Sequence, residues 1–166
     1  MIRVLAIDPG NTESGWCILH DYAPIAFGKN ENHEVLGVMG RHIFDYDKVV
    51  IEMVASYGMA VGKTVFDTCR WIGRFEQRCA AFDFKDVDPC FVTRKEYVTE
   101  LCGSARAKDS NVTQYLIDRF APDTPNRGKG TKKNPGWFYG FASDVWQAYG
   151  LGVYYTDLCK KESEDG

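Results

Sequence analysis

The chain has 166 residues, of which 45% are apolar and 26% charged. That is enough for one domain with its own core, too short for two, and too well mixed to be disordered. The net charge of −3 argues against a basic nucleic-acid coat protein, yet it leaves room for an enzyme with one basic face. No apolar run approaches the length of a membrane span, and the strand-like start, Met1 to Asp8, does not read as an export signal. Six cysteines and three histidines (His20, His33 and His42) fall into no zinc spacing, so free thiols in a reducing cytoplasm are expected.

Ile2 to Ile7 is a short apolar run that ends in the turn signal Asp8-Pro9-Gly10. Gly15 to His20 and Ile25 to Gly28 read as two more strands, joined by a turn at Asp21 to Pro24. From Val35 the apolar period becomes helical through Tyr46. Lys48 to Val54 reads as a buried parallel strand carrying one acid, Glu52. A long helix is predicted over 61–82, with Val65, Cys69, Ile72 and Cys79 facing inward and Lys63, Arg70, Arg74 and Arg78 in a basic stripe. Cys90 to Thr93 is a further short strand. Thr93 to Glu96 fits a capping box, and Gly103 stops the helix it opens. Asp109 or Ser110 can cap the next helix, which carries Val112, Leu116, Ile117 and Phe120. Residues 122–137 form a polar Pro/Gly loop, and a last helix runs from about Ser143 to Lys160. The expected architecture is one α/β domain over 1–160 with a charged tail at 161–166. Its five-stranded mixed sheet, three antiparallel strands followed by two parallel ones, is flanked by helices.

Asp8 and Glu52 each end a buried strand, where ligands of open α/β sheets gather. If the strands are neighbours, the two carboxylates must share a proton or a cation. Asp144, in the first turn of the last helix, and Gln147, one turn on, would be aimed at the same place. Ala148, Gly150 and Gly152 let that helix approach the sheet. An oxygen-only cluster of this kind suits magnesium or manganese and supports metal-assisted phosphodiester hydrolysis with two ions about 3.5–4 Å apart. The plainer alternative for each acid is a turn or cap residue.

Four stretches then carry a resemblance: Ala6 to Trp16 with its I-D-P-G-x-x-x-x-G opening, Val50 to Val54, Cys102 to Lys108, and Ala142 to Ala148. Together the chain resembles the RuvC-type Holliday junction resolvases of the RNase H-like (retroviral integrase) superfamily. The resemblance implies an RNase H-like fold and a homodimer that makes paired cuts in a four-way DNA junction. By position, Asp8, Glu52 and Asp144 match three of the family's four acidic metal ligands, and Gln147 stands where the fourth would be. Two magnesium or manganese ions per active site are implied. Lys108 matches a basic residue near the family's active site, Arg106 is its neighbour, and Lys95 resembles an upstream lysine. Tyr57 matches the aromatic residue that the family inserts between junction bases.

Arg127, Lys129, Lys132 and Lys133 lie between residues 124 and 143 with no acid among them, which suits a phosphate-gripping segment. Gly58 to Thr64 tempts toward a nucleotide-binding loop, but Tyr57 stands where that motif needs its first glycine. Two rivals remain. One is an RNase H-like nuclease of looser specificity for branched DNA or RNA-containing substrates; the other is a non-catalytic junction-binding protein.

Overall fold

The sheet is built outward from β1 (Arg3–Asp8), whose Val4, Leu5, Ala6 and Ile7 are fully buried because both of its faces are covered. The structure is a computed structural model that describes residues 1–166. β2 (Glu13–His20) runs antiparallel to β1, with Ile7 opposite Trp16 and Asp8 opposite Gly15. β3 (Ala23–Glu31) continues the meander after a turn in which Asp21 takes a left-handed φ of 51°. After α1 (Asn32–Arg41), β4 (Lys48–Met53) joins the other side of β1 in parallel, with Ile7 beside Ile51. After α2 (Lys63–Ala80), β5 (Cys90–Thr93) adds in parallel to β4. The remaining elements are α3 (Arg94–Cys102), α4 (Asp109–Phe120) and α5 (Val145–Glu164). Sheet order is β3-β2-β1-β4-β5, the mixed five-stranded arrangement that the sequence indicates. No helix is long and apolar enough to cross a membrane.

Strand alternation divides the core into two layers. Leu5, Ile7, Ile18, Val49 and Ile51 pack against α1 and α2. Val4, Ala6, Cys17, Leu19 and Val50 pack against the α3–α5 side. Gly152 of α5 is what permits close approach there, since a Cβ would sit 2.5 Å from Leu19 and 3.2 Å from Ala6. Gly150 instead faces Val112 and Leu116 of α4.

The local signals at α3 act as expected. Thr93 and Glu96 form a reciprocal capping box, and Gly103 ends the helix at φ 74°. Four expectations are corrected. The inward stripe of α2 is Thr68, Ile72, Phe75 and Cys79, with Cys69 exposed; burying Phe75 sets the helix rotation, and Cys69 lies one residue off that stripe. The cap of α4 is Lys108, whose backbone N–H donates to the Asn111 side chain at 2.8 Å, so Asp109 and Ser110 belong to the first turn. Asp144 is the N-cap of α5 and not a first-turn residue. That helix continues through Glu164, taking in most of the segment expected as a charged tail, and Lys161 pairs with Glu100 of α3 at 3.1 Å.

The long loop before α5 is polar outside and aromatic beneath. Asn126, Arg127, Gly128 and Gly130 all take positive φ, and Gly130 bridges to Pro135. These turns deliver Phe138 and Phe141 into the core, where they pack on Trp146 and Tyr149.

Candidate active site

Because β1 and β4 are parallel with Ile7 beside Ile51, the next residues on the two strands are Asp8 and Glu52. Their carboxyls are close enough for each to shift the other's titration. Burial holds Asp8 well above the ordinary carboxylate range, and the neighbouring charge of Glu52 and the fields of Asp144 and Asp109 push the same way. Burial also raises Glu52, against the effects of Asp8 and Arg94, which pull it down. Two hard oxygen donors set side by side in a low-dielectric pocket fit a hard divalent cation.

The turn that carries Asp8 is fastened from below. Gly10 N–H donates to Ser14 Oγ (3.1 Å), Ser14 Oγ donates to Asn32 Oδ1 (2.5 Å), and Asn32 Nδ2 donates back to the Gly10 carbonyl (2.9 Å). Ser14 and Asn32 are both fully enclosed. Gly15 makes room for the third acid, since a Cβ there would stand 2.7 Å from the Asp144 backbone oxygen.

Asp144 borders the pair closely enough to act on both electrostatically, but its carboxylate is held by Lys29 of β3 at 2.8 Å. Lys29 also lies 3.7 Å from Glu13 and donates to Ser143 Oγ at 3.4 Å. No three acid, histidine or cysteine side chains are grouped so as to hold one ion. The expected three-way convergence is not seen: Asp8 and Glu52 are adjacent, while Asp144 is turned to Lys29, which supplies its counter-charge. Gln147 is buried and its amide oxygen faces Arg94 Nη1 (3.3 Å) and the Tyr97 hydroxyl (3.4 Å). It is not directed at the acid pair as its spacing from Asp144 suggested.

Three residues that the sequence did not mark belong to this site. Arg94 pairs with Asp109 at 2.6 Å and donates to the Tyr97 hydroxyl at 3.2 Å. Asp109 acts on both Asp8 and Glu52. Lys29 completes the set. Their signals were present but ambiguous: Arg94 hides inside a capping box, Asp109 passes for a cap, and Lys29 looks like one polar residue on an edge strand.

The basic residues fall into separate groups. Arg127 and Lys129 line a cleft of about 520 Å³ together with Asp109, Asp144 and Gln147. Lys132 and Lys133 are exposed at the Gly130–Pro135 tip of the same loop. Lys108 and Arg106 are exposed between α3 and α4. Tyr57 is exposed, with φ 48°, and Lys95 Nζ lies 5.7 Å above its ring. Those two and Arg94 line a second recess of about 320 Å³. The α2 stripe is largely satisfied within the chain: Lys63 and Arg70 pair with Asp67, Arg74 stacks on Trp71, and Arg78 stacks on Phe82.

No protein-family model matches the sequence, and no curated protein does. The fold, however, matches the solved Thermus thermophilus RuvC structure with a TM-score of 0.69 over 97% of each chain, at 14% identity. It also matches T. thermophilus RuvC in complex with Holliday junction substrate, with a TM-score of 0.70 over 98% of this chain and 97% of that one, at 13% identity. The chain has the RuvC fold. In that fold, the Asp8–Glu52 pair occupies the ends of the central strand, β1, and its parallel neighbour, β4.

Proposed function

We propose that this chain is a divalent-metal-dependent endodeoxyribonuclease that resolves four-way DNA junctions by paired phosphodiester hydrolysis, working in the cytoplasm as a homodimer. The observation that carries the proposal is the Asp8–Glu52 pair. Two carboxyls buried together against their own repulsion are a costly arrangement unless a cation is meant to join them. The likeness to a RuvC structure in complex with junction substrate supports DNA as that cation's context.

In this reading Asp8 and Glu52 would hold magnesium or manganese, and Asp144 would join them on leaving Lys29. The bound ion would polarise the scissile phosphate and lower the pKa of the attacking water. The chain's own groups do the rest. Lys108, which directly precedes Asp109 of the cleft, would offset charge that builds on the phosphate. Arg127, Lys129, Lys132 and Lys133 grip the backbone leading into the cleft, while Lys95 and Arg106 hold it on the other side. Tyr57, exposed and backed by Lys95, stacks on an unpaired base at the crossover. Two-fold symmetry of the junction asks for two such sites, hence the dimer.

The test is incubation with magnesium and a labelled panel of four-way junction, flap, duplex and RNA–DNA hybrid. Symmetric cuts confined to the junction are expected. Equal cutting of the hybrid or flap would favour a looser RNase H-like nuclease. Lys29 on Asp144 and the amide at Gln147 favour a second reading, a junction-binding protein without cleavage; tight junction binding with no cutting in either metal would establish it.

A further inference from the structure

We infer that Arg94 is a built-in cation of this site, standing in for one divalent ion, so that each active site takes a single ion where the family resemblance implies two. The inference rests on the nuclease reading above and concerns how its charge is supplied.

The place of Arg94 is the first ground. It opens α3 directly after β5, and β5 lies beside β4 with Val92 opposite Glu52. Its guanidinium is half-buried and touches the first turns of two more helices: Asp109 of α4 at 2.6 Å and Gln147 of α5 at 3.3 Å. Tyr97 adds a third contact at 3.2 Å. With three anchors the planar group is fixed in orientation. Gln147 turns its carbonyl oxygen to this cation, where a neutral amide suffices as acceptor. An acid there would be a second carboxylate on a guanidinium that Asp109 already neutralises.

The charge balance is the second ground. Four carboxyls meet in this region: Asp8, Glu52, Asp109 and Asp144. Asp109 has Arg94 within ion-pair distance, and Asp144 rests on Lys29 until an ion recruits it. Asp8 and Glu52 have only each other. Neither is in an ion pair with a basic side chain, which leaves these two adjacent carboxyls for one divalent ion.

The third ground is what Arg94 faces. It lines the recess shared by Tyr57 and Lys95, the side chains placed here on DNA. A guanidinium has five N–H donors, so those left over after Asp109, Tyr97 and Gln147 are available to a phosphate oxygen entering that recess. Such a preset donor stabilises developing charge without reorganising.

The experiment uses the full chain and manganese alone as the probe. Calorimetric titration of the native protein is expected to give one Mn²⁺ per active site. Arg94→Met is expected to keep that stoichiometry and lower kcat on a four-way junction by about 100-fold, with calcium-supported junction binding changed less than about threefold. Arg94→Lys keeps the charge but loses the fork, so it is expected to recover part of that kcat and to show that the fold tolerates change here. Two Mn²⁺ per site in the native chain, or an Arg94→Met kcat within about threefold of native, would overturn the inference and leave the nuclease intact. Failure to bind manganese together with failure to cut in any metal would instead remove the nuclease reading itself.

Discussion

At the foot of α4 and α5, Asp157 receives two hydrogen bonds from Arg119 (2.8 and 2.9 Å) and a third from the Tyr22 hydroxyl (2.7 Å). At the other end of α5, Asp8 has Glu52 as its carboxyl partner. Both acids are substantially shielded from water, and burial pushes both upward. At Asp157, Arg119 and Tyr22 outweigh burial and hold the carboxyl below its usual range. At Asp8 nothing opposes burial, and each neighbour adds to it. One region closes its electrostatics within the chain; the other leaves negative charge to be met from outside. The comparison separates an acid that holds the fold together from an acid set aside for a ligand, although both sit in folded, close-packed surroundings.

The largest effect should come from removing the open pair. Asp8→Asn or Glu52→Gln is expected to lower junction cleavage by about a thousandfold or more, while junction binding in calcium persists. The same changes relieve repulsion between two buried acids, so in metal-free buffer the melting temperature is expected to rise. Cleavage and thermal melting on the same preparations check both halves. A variant that cuts normally, or one that melts lower than native, would break the contrast.

Asp157→Asn should do the reverse. It weakens the Arg119 fork and leaves a half-shielded guanidinium without its counter-charge, a loss of about 1–3 kcal/mol. Urea titration should show that loss, with cleavage at low temperature left near native. Reduced cleavage at full occupancy of the folded state would mean that the two regions are coupled through α5.

How much of this was legible from the residues depends on whether a signal was local. The Thr93–Glu96 box, the Gly103 stop and the β-branched run at Val49 to Ile51 each determine their own segment, and all three stand where expected. The adjacency of Asp8 and Glu52 follows from two neighbouring parallel strands, so it was visible once strand order was supposed. Lys29 on Asp144 and Arg94 on Gln147 join residues 115 and 53 positions apart. Nothing in their local patterns marks such pairs, since a charged side chain on an edge strand or in a first helical turn is ordinary there. The aromatic anchoring of the loop before α5 escaped for a different reason. Glycines and lysines dominate its composition, and only the positive-φ turns show how Phe138 and Phe141 reach the interior.

The two regions should also separate along pH. Asp8 titrates above its unfolded value near 3.9, so between the two values the folded chain holds more protons than the unfolded one. Its contribution to stability is full below about pH 4 and is lost as pH rises through the raised value. Asp157 titrates below its unfolded value; its contribution is present above about pH 4 and is lost as pH falls through the lowered value. Melting curves across pH, with and without magnesium, should show the ion restoring stability on the alkaline side of the Asp8 titration. Asp8→Asn should flatten only that limb, and Asp157→Asn only the acid one.

The smallest effect expected is at Lys29, which belongs to the open site but behaves like a member of the closed one. Its ammonium satisfies Asp144 and competes with any ion that recruits that carboxylate. The pair is partly exposed, with about a third of the lysine side chain and 43% of the aspartate accessible, so Lys29→Met should cost under about 1 kcal/mol in stability. Freed of its partner, Asp144 becomes available to the ion, and manganese affinity by calorimetry should rise about two- to fivefold. An unchanged affinity would place Asp144 with Asp157, as an acid whose charge is already spoken for, and would leave Asp8 and Glu52 as the whole of the metal-binding set.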